Sequence, residues 1–555
     1  MAKRIIVDPI TRIEGHLRIE VEVDSDQVIK DAWSSITLWR GIETILKGRD
    51  PRDAGLITQR FCGVCTYAHY EASIMACEDA FGIKPPPNAR IVRNLIQGAQ
   101  YLTDHVMHFY HLHGLDWVDI VSALSANPKK AVEMAMAFCP TPYNCSETHY
   151  KAVQDRLTKF VQSGRLGPFA NAYWGNESYK LPPEANLIIA SHYLDALQVS
   201  KLGAQMMAIF GGKNPHPQTL VVGGITSAMD ALDASRLGEY SFRLKELRNF
   251  VETAYIPDVL LAGTYYKGEG AAGIGGGVKN YLCYGGFPLD DSGKFLFPRG
   301  TIKNRELKVL PIDEKKITEE VTHSWYKGSA PEHPSQGTTE PDYTGYNKDG
   351  NLQGQDKYSW CKAPRYDGEP YEVGPLARVL IAYVAGNQEI QNLVNGTLKA
   401  LDAPVTALFS TLGRTAARAL ETKYIGDHIG GWLNELIGNI KAGDTRFWTR
   451  CSVPEKGQGR GMTEPPRGAL GHWIRIENHT IANYQAVVPS TWNCSPRDKN
   501  GKRGPYEESL IGTRLANVDQ PLEILRTIHS FDPCMACAVH IIDPKSDRIR
   551  EFRIA

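Results

Sequence analysis

Two Cys-x-x-Cys pairs stand near opposite ends of the chain, Cys62-Gly63-Val64-Cys65 and Cys534-Met535-Ala536-Cys537. Thiolates are soft ligands, and four of them around one ion restrict it to zinc, iron or nickel. Neither pair is followed directly by histidine, which argues against covalent haem attachment. Neither belongs to a ferredoxin-type cysteine run. Two pairs with no third make one shared site the simplest geometry. On ligand chemistry alone a structural zinc leads. Taken singly, each pair is also compatible with a redox couple or with chance.

The flanking residues point away from a closed structural site. Asp532-Pro533 precedes the second pair, His540 follows it, and His69 follows the first. Glu14 lies in a charged turn, Arg12-Ile13-Glu14-Gly15-His16. A structural zinc has no need of nearby acids and imidazoles. A catalytic metal uses such groups to orient thiolates and to move protons. The remaining cysteines, Cys77, Cys139, Cys145, Cys283, Cys361, Cys451 and Cys494, follow no framework spacing, so this is not a disulfide scaffold. They are expected to be buried thiols acting as small hydrophobes, although Cys139 and Cys145 flank a loop and could pair.

The elements that must bring the pairs together can be read in outline. Residues 4–35 alternate as strands, and from about Asp53 the pattern turns helical. Cys62 and Cys65 fall near the start of a helix ending by Gly82, and Asn88 is expected to cap the next. Further helices are predicted near 184–210, 229–255, 374–400 and 408–441, long enough for a buried bundle. Residues 263–370 are rich in Gly, Tyr, Pro, Asp and Lys, and read as irregular structure with short strands over the helical core. Strands return at His472–Glu477, Asn483–Val488 and Arg548–Ile554. The fold expected is α+β and multidomain: a predominantly helical core bundle, β elements at both ends, and an irregular α+β periphery. Its parts are a β-rich segment (1–52), a first helical part carrying the first pair (53–262), the periphery (263–373), a second helical part with the C-terminal metal-binding segment (374–540), and an extension (541–555).

Two weaker motifs favour bland readings. Gly268-Glu269-Gly270-Ala271-Ala272-Gly273 matches a dinucleotide fingerprint, but Ile274-Gly275-Gly276-Gly277 follows where a helix should start, so a surface loop is expected. His105, His108, His111 and His113 share a helix face only loosely among Phe109, Tyr110 and Leu112, which suits packing better than metal binding. The 555 residues carry 62 Lys plus Arg and 62 Asp plus Glu, so no electrostatic footprint for nucleic acid or an anionic membrane is present. A neutral chain of this size is poorly protected from association, so a partner subunit is expected. No apolar run approaches the roughly 20 residues that span a bilayer, and the N-terminus lacks the apolar region of a signal peptide. The chain is expected in the cytoplasm, or exported as a passenger on another protein.

Longer stretches are specific. Arg40-Gly41-Ile42-Glu43, followed at a distance by Gln59-Arg60-Phe61-Cys62-Gly63-Val64-Cys65, resembles the N-terminal signature of nickel–iron hydrogenase large subunits. Phe531-Asp532-Pro533-Cys534-Met535-Ala536-Cys537-Ala538-Val539-His540 resembles their C-terminal signature. The stretches HFYHLHGLDWVD, KAPRYDGEP, FSTLGRTAAR and HWIRIENHTIANYQAVVPSTWN extend the resemblance over essentially the whole chain, nearest to the respiratory uptake type. Phe61 departs from a more usual smaller residue, and position 534 is cysteine rather than selenocysteine. Two other readings differ in chemistry: a zinc-stabilised structural subunit, and a quinone-binding subunit of the respiratory NADH dehydrogenase, whose relatives lack the full cysteine set.

The resemblance implies a nickel–iron centre whose iron carries carbon monoxide and cyanide. All four cysteines would bind nickel, with Cys65 and Cys537 bridging to iron. The implied reaction is reversible oxidation of H2 to two protons and two electrons, probing for a base at the site: Cys534 would take the proton and Glu14 relay it. Arg467 would lie over the open metal face as an alternative base, held by Asp116 and Asp532. His69 would hydrogen-bond a bridging sulfur, Pro489 and Ser490 would line the diatomic ligands, and Val64 and Leu115 would narrow the gas path. A second metal, Mg2+ or Fe2+, would take Glu43, His540 and the Ala486 carbonyl. The implied partners are an iron–sulfur small subunit that also carries the export signal, nickel-insertion factors, an endopeptidase cutting after His540, and a membrane cytochrome or periplasmic cytochrome c as acceptor. The implied location is periplasmic and membrane-associated.

Overall fold

The alternating N-terminal segment forms an antiparallel sheet of β1 (Lys3–Val7), β2 (Leu17–Val23) and β3 (Ile29–Ile36), with β2 central. The computed structural model describes residues 3–538 except 165–166, 171, 329, 348–351 and 353–355. His540, the 541–555 extension and the strand expected at 548–554 lie outside the described residues. Period-two spacing puts Leu17, Ile19, Val21 and Val23 on one face of β2. All four are buried, in a cluster with Trp325, Trp360, Ile524, Ile528 and Met535. The first sheet is therefore glued to the last turns of the chain by apolar contact.

The longer helices are α1 (Ala68–Phe81), α2 (Pro87–Met107), α3 (Pro128–Phe138), α4 (Glu147–Gln162), α5 (Pro183–Gly211), α6 (Ala234–Phe250), α7 (Ile256–Ala271), α8 (Pro375–Val384), α9 (Gln388–Leu401) and α10 (Thr411–Lys441). Their apolar faces share one large core, including Ile96, Leu102, Ile189, Phe250, Leu380 and Ile425. Helix α10 starts cleanly because the Ser410 hydroxyl accepts the Gly413 N–H at 3.0 Å. Charge is buried here too: Arg378 of α8 donates to both Glu421 of α10 and Glu464. The 263–370 region beyond α7 holds short antiparallel ribbons, such as Ile317–Glu320 with Ala363–Tyr366. A C-terminal sheet follows, in order β4 (Lys456–Thr463), β5 (Leu470–Glu477) and β6 (Thr480–Val487). Short helices follow, among them α11 (Pro489–Asn493), α12 (Leu522–His529) and α13 (Met535–Ala538).

Two local expectations are corrected, and one strand was missed. Helix α2 begins at Pro87 with Pro86 at its cap position, and Asn88 bonds instead to the Asp444 carbonyl and to Asn439. The proline ring already sets the backbone for a first helical turn, so no side-chain cap is needed. Gly268 and Gly270 lie within α7 rather than a loop, because the helix is held by packing, with Gly270 set close to Leu412. Strand β4 is the one missed, and glycine in a strand marks a close backbone approach. Its Gly459 and Gly461 let α1 lie on the sheet: a Cβ at either would strike the carbonyl oxygen of Ala76 or Ala72.

Candidate active site

Helix α1 delivers His69 and is preceded by the loop carrying Cys62 and Cys65. Arg40 braces this loop, donating to the carbonyls of Phe61 and Arg60. Inside it, the Val64 and Cys65 N–H groups donate to Cys62 Sγ, each at 3.1 Å. Cys534 arrives from the other end of the chain. The Glu14 N–H donates to the Pro533 carbonyl at 3.3 Å, and the Met535 N–H donates to the Glu14 carbonyl at 2.8 Å. Gly15 makes this approach possible: its φ is +86°, and a Cβ there would collide with the Ala536 nitrogen. The Cys534 N–H is held by the Ser490 hydroxyl at 3.1 Å, at the start of α11, where Pro489 is also buried.

The result is a cluster of buried thiols. Sulfur atoms of Cys62, Cys65 and Cys534 lie within 4.8 Å of one another, and Cys62 and Cys534 are 3.1 Å apart. None is in a disulfide. Deprotonated thiols so close repel one another in a dry site, so the arrangement fits a bound soft cation. Cys537 follows in α13, but its side chain lies outside the described residues, as does His540.

Glu14 Oε2 is 3.3 Å from Cys534 Sγ and also accepts the Ala536 N–H at 2.9 Å. Burial, reinforced by the Cys62 sulfur, pushes its carboxyl up to about 7. On the other side, Arg467 Nη1 donates to Asp104 Oδ2 and Nη2 to Asp532 Oδ1, both at 3.0 Å. Burial works to lower the guanidinium's pKa, but Asp532, Cys534 and Asp104 outweigh it, and the group stays charged.

Asp116 is not part of this clamp, contrary to the expectation from sequence. It pairs with Arg12, whose Nη2 is 2.5 Å away, and accepts from His113 at 3.0 Å and His529 at 2.7 Å. Burial raises its pKa, and Arg12 and His529 outweigh that, holding it well below the usual range. His113, Asp116 and His529 have the spacing of a metal trio. Their ring nitrogens are committed elsewhere, however: His113 Nε2 to Thr415 and Trp117, His529 Nε2 to the Thr11 carbonyl. The other expected packing histidines also find partners, His105 on Glu421, His108 on the His529 carbonyl and His111 on the Tyr193 carbonyl.

Of the remaining expected residues, Val64 is half-buried beside Cys62, and Leu115 is buried in the Gly114–Asp116 turn. His69 is buried, stacked on Phe61, with Nδ1 against His472 Nε2 at 3.1 Å. Burial lowers its pKa to about 4, the Cys62 sulfur opposing. Glu43 Oε1 accepts the Ala486 N–H at 2.9 Å, and Lys362 Nζ is 3.9 Å from Oε2. Asp104, His472 and Tyr484 were missed by sequence reasoning. The only signal for Asp104 was an acid on a mostly apolar helix one turn before His108.

Residues 40–540 match the nickel-dependent hydrogenase family, and residues 4–37 match a HoxL-like family. The chain belongs to the nickel-dependent hydrogenases. It is 51% identical to the quinone-reactive Ni/Fe-hydrogenase large chain of Wolinella succinogenes, over 100% of this chain and 98% of that protein. It is 50% identical to the uptake hydrogenase large subunit of Rhizobium leguminosarum bv. viciae, over 100% and 97%. The Ni-Fe-Se hydrogenase of D. vulgaris Hildenborough in its reduced state shares the fold, with a TM-score of 0.78 and 38% identity over 97% of this chain and 100% of that one.

Proposed function

We propose that this chain is the catalytic large subunit of a nickel–iron hydrogenase that splits H2 reversibly into two protons and two electrons, working in the uptake direction. The observation that carries this is the meeting of Cys62, Cys65 and Cys534, from opposite chain ends, in one buried cluster. With Cys537 these thiolates would hold nickel, Cys65 and Cys537 also reaching an iron that carries carbon monoxide and cyanide. When bound, the centre supplies the Lewis acidity and electron capacity that so weak an acid as H2 requires.

The chain's own residues handle the proton. The Cys534 sulfur accepts it, and Glu14, 3.3 Å away, carries it outward. Arg467, fixed by Asp104 and Asp532, keeps a positive charge beside the thiolates and stabilises negative charge developing there. His69 orients a sulfur, Pro489 and Ser490 bound the diatomic pocket, and Val64 and Leu115 narrow gas entry. Glu43 and Ala486, adjacent in space, support a second site for Mg2+ or Fe2+ with His540.

Electrons pass to an iron–sulfur small subunit, and from it to a membrane cytochrome or periplasmic cytochrome c. No helix among the described residues is long and apolar enough to cross a membrane. The heterodimer works on the periplasmic side, exported by the partner's signal. Nickel-insertion factors load the site, and an endopeptidase then cuts between His540 and Ile541; the family match ending at residue 540 supports this. Infrared spectroscopy with metal analysis on the purified heterodimer tests the reading. Nickel with metal-bound carbon monoxide and cyanide bands is expected; zinc alone, without those bands, would falsify it.

A further inference from the structure

Behind His69, away from the thiols, runs a line of buried polar groups that the mechanism does not use. His69 Nδ1 is 3.1 Å from His472 Nε2, and His472 Nδ1 is 2.7 Å from the Tyr484 hydroxyl. All three side chains are buried. We propose that Tyr484 and His472 form a hydrogen-bond chain that fixes the tautomer of His69, keeping its proton on Nε2, the ring nitrogen left for a sulfur of the centre. The inference deepens the hydrogenase reading and rests on it.

The direction of donation follows from the partners. Among the described residues the buried Tyr484 hydroxyl is hydrogen-bonded to His472 Nδ1 alone, and a buried phenol proton left without an acceptor is costly, so Tyr484 gives its proton to His472 Nδ1. A neutral imidazole that accepts at Nδ1 carries its proton on Nε2, so His472 donates to His69 Nδ1. By the same rule His69 carries its proton on Nε2, the ring nitrogen left for a sulfur. Two imidazoles sharing one proton at this distance exclude a charged pair, and burial holds His472 neutral and Tyr484 protonated. Reversing the chain would turn a bare nitrogen lone pair toward anionic sulfur, which is repulsive. His472 and Tyr484 sit on neighbouring strands β5 and β6, so the sheet sets their separation. They are positioning residues, acting on the centre only through His69.

The test is infrared spectroscopy of the metal-loaded heterodimer carrying Tyr484→Phe. A sulfur that loses a donated hydrogen bond pushes more charge onto iron. The carbon monoxide and cyanide bands are therefore expected at lower wavenumber, with nickel content unchanged. His472→Leu, which removes the donor to His69 Nδ1, is expected to shift them in the same direction, and it carries the test if the tyrosine variant does not fold. Unshifted bands in either variant at full metal content overturn the proposal. Absence of the bands from unmodified enzyme would instead overturn the hydrogenase reading on which it rests.

Discussion

Replacing Asp104 by Asn separates two assignments of the Arg467 clamp. The guanidinium is buried and held by Asp104 and Asp532 at equal distances of 3.0 Å. An asparagine oxygen can still accept the Nη1 proton, so the loss is the charge assistance rather than the contact. Hydrogen bonds to charged groups are worth about 1.5–3 kcal/mol. Asp532 remains in place, so the lower end applies, and about 1.4 kcal/mol is tenfold in rate. Asp104→Asn is therefore expected to slow H2-dependent dye reduction about tenfold, with nickel content unchanged and the unfolding temperature lowered less than in Asp116→Asn, because Arg467 keeps Asp532. Asp116→Asn is the control. It strips the carboxylate from Arg12 and two histidines, all buried. Breaking such a buried pair costs about 3–5 kcal/mol, so this variant loses thermal stability first. A fully active Asp104→Asn enzyme, beside a stable but slow Asp116→Asn enzyme, would refute the clamp described here.

Glu14→Gln removes the ionisable group next to Cys534 and is expected to abolish hydrogen–deuterium exchange while leaving nickel bound; exchange at the unmodified rate rules Glu14 out as the relay. Gly461→Ala forces a methyl group into the Ala72 carbonyl and costs about 1–3 kcal/mol, read as a lower unfolding temperature. Glu507 is buried, and burial raises its carboxyl from 4.5 to about 7. The folded state thus favours the protonated form: this group's contribution to stability is fully present below pH 4.5 and is lost as pH rises through about 7. Glu507→Gln is expected to flatten that decline, and an unchanged pH profile would count against it. Mass spectrometry of nickel-loaded protein is expected to find a chain ending at His540; an intact Ala555 terminus contradicts the processing step.

The cysteine pairs were legible because their chemistry is local: four cysteines in two pairs of the same spacing announce a soft-metal site. The long helices were legible for the same reason, since periodicity acts over neighbouring residues. What was not legible depended on packing partners far away in sequence. Asp104 and Asp116 look alike along the chain, and only the tertiary fold sends one to Arg467 and the other to Arg12. The strand β4 was missed, because the glycines that let α1 lie flat on the sheet carry no side-chain pattern to read. Gly268 and Gly270 read as a loop, yet α7 runs through them. His472 and Tyr484 alternate with apolar residues as any strand would, and nothing in their spacing pointed to His69.

Glu14 and Cys534 are separated by 520 residues along the chain. Closing a loop of that length costs about 5.5 kcal/mol of chain entropy, by the (3/2)RT ln n scaling. No partial chain can recover this cost, because the backbone bonds of Glu14 to Pro533 and Met535 need the last residues to exist. The centre is therefore a late event in the life of the molecule. During synthesis only Cys62 and Cys65 are available, a half-site open on one side. A metal captured then would be held by two thiolates, and would become enclosed only when the end of the chain folds back over it.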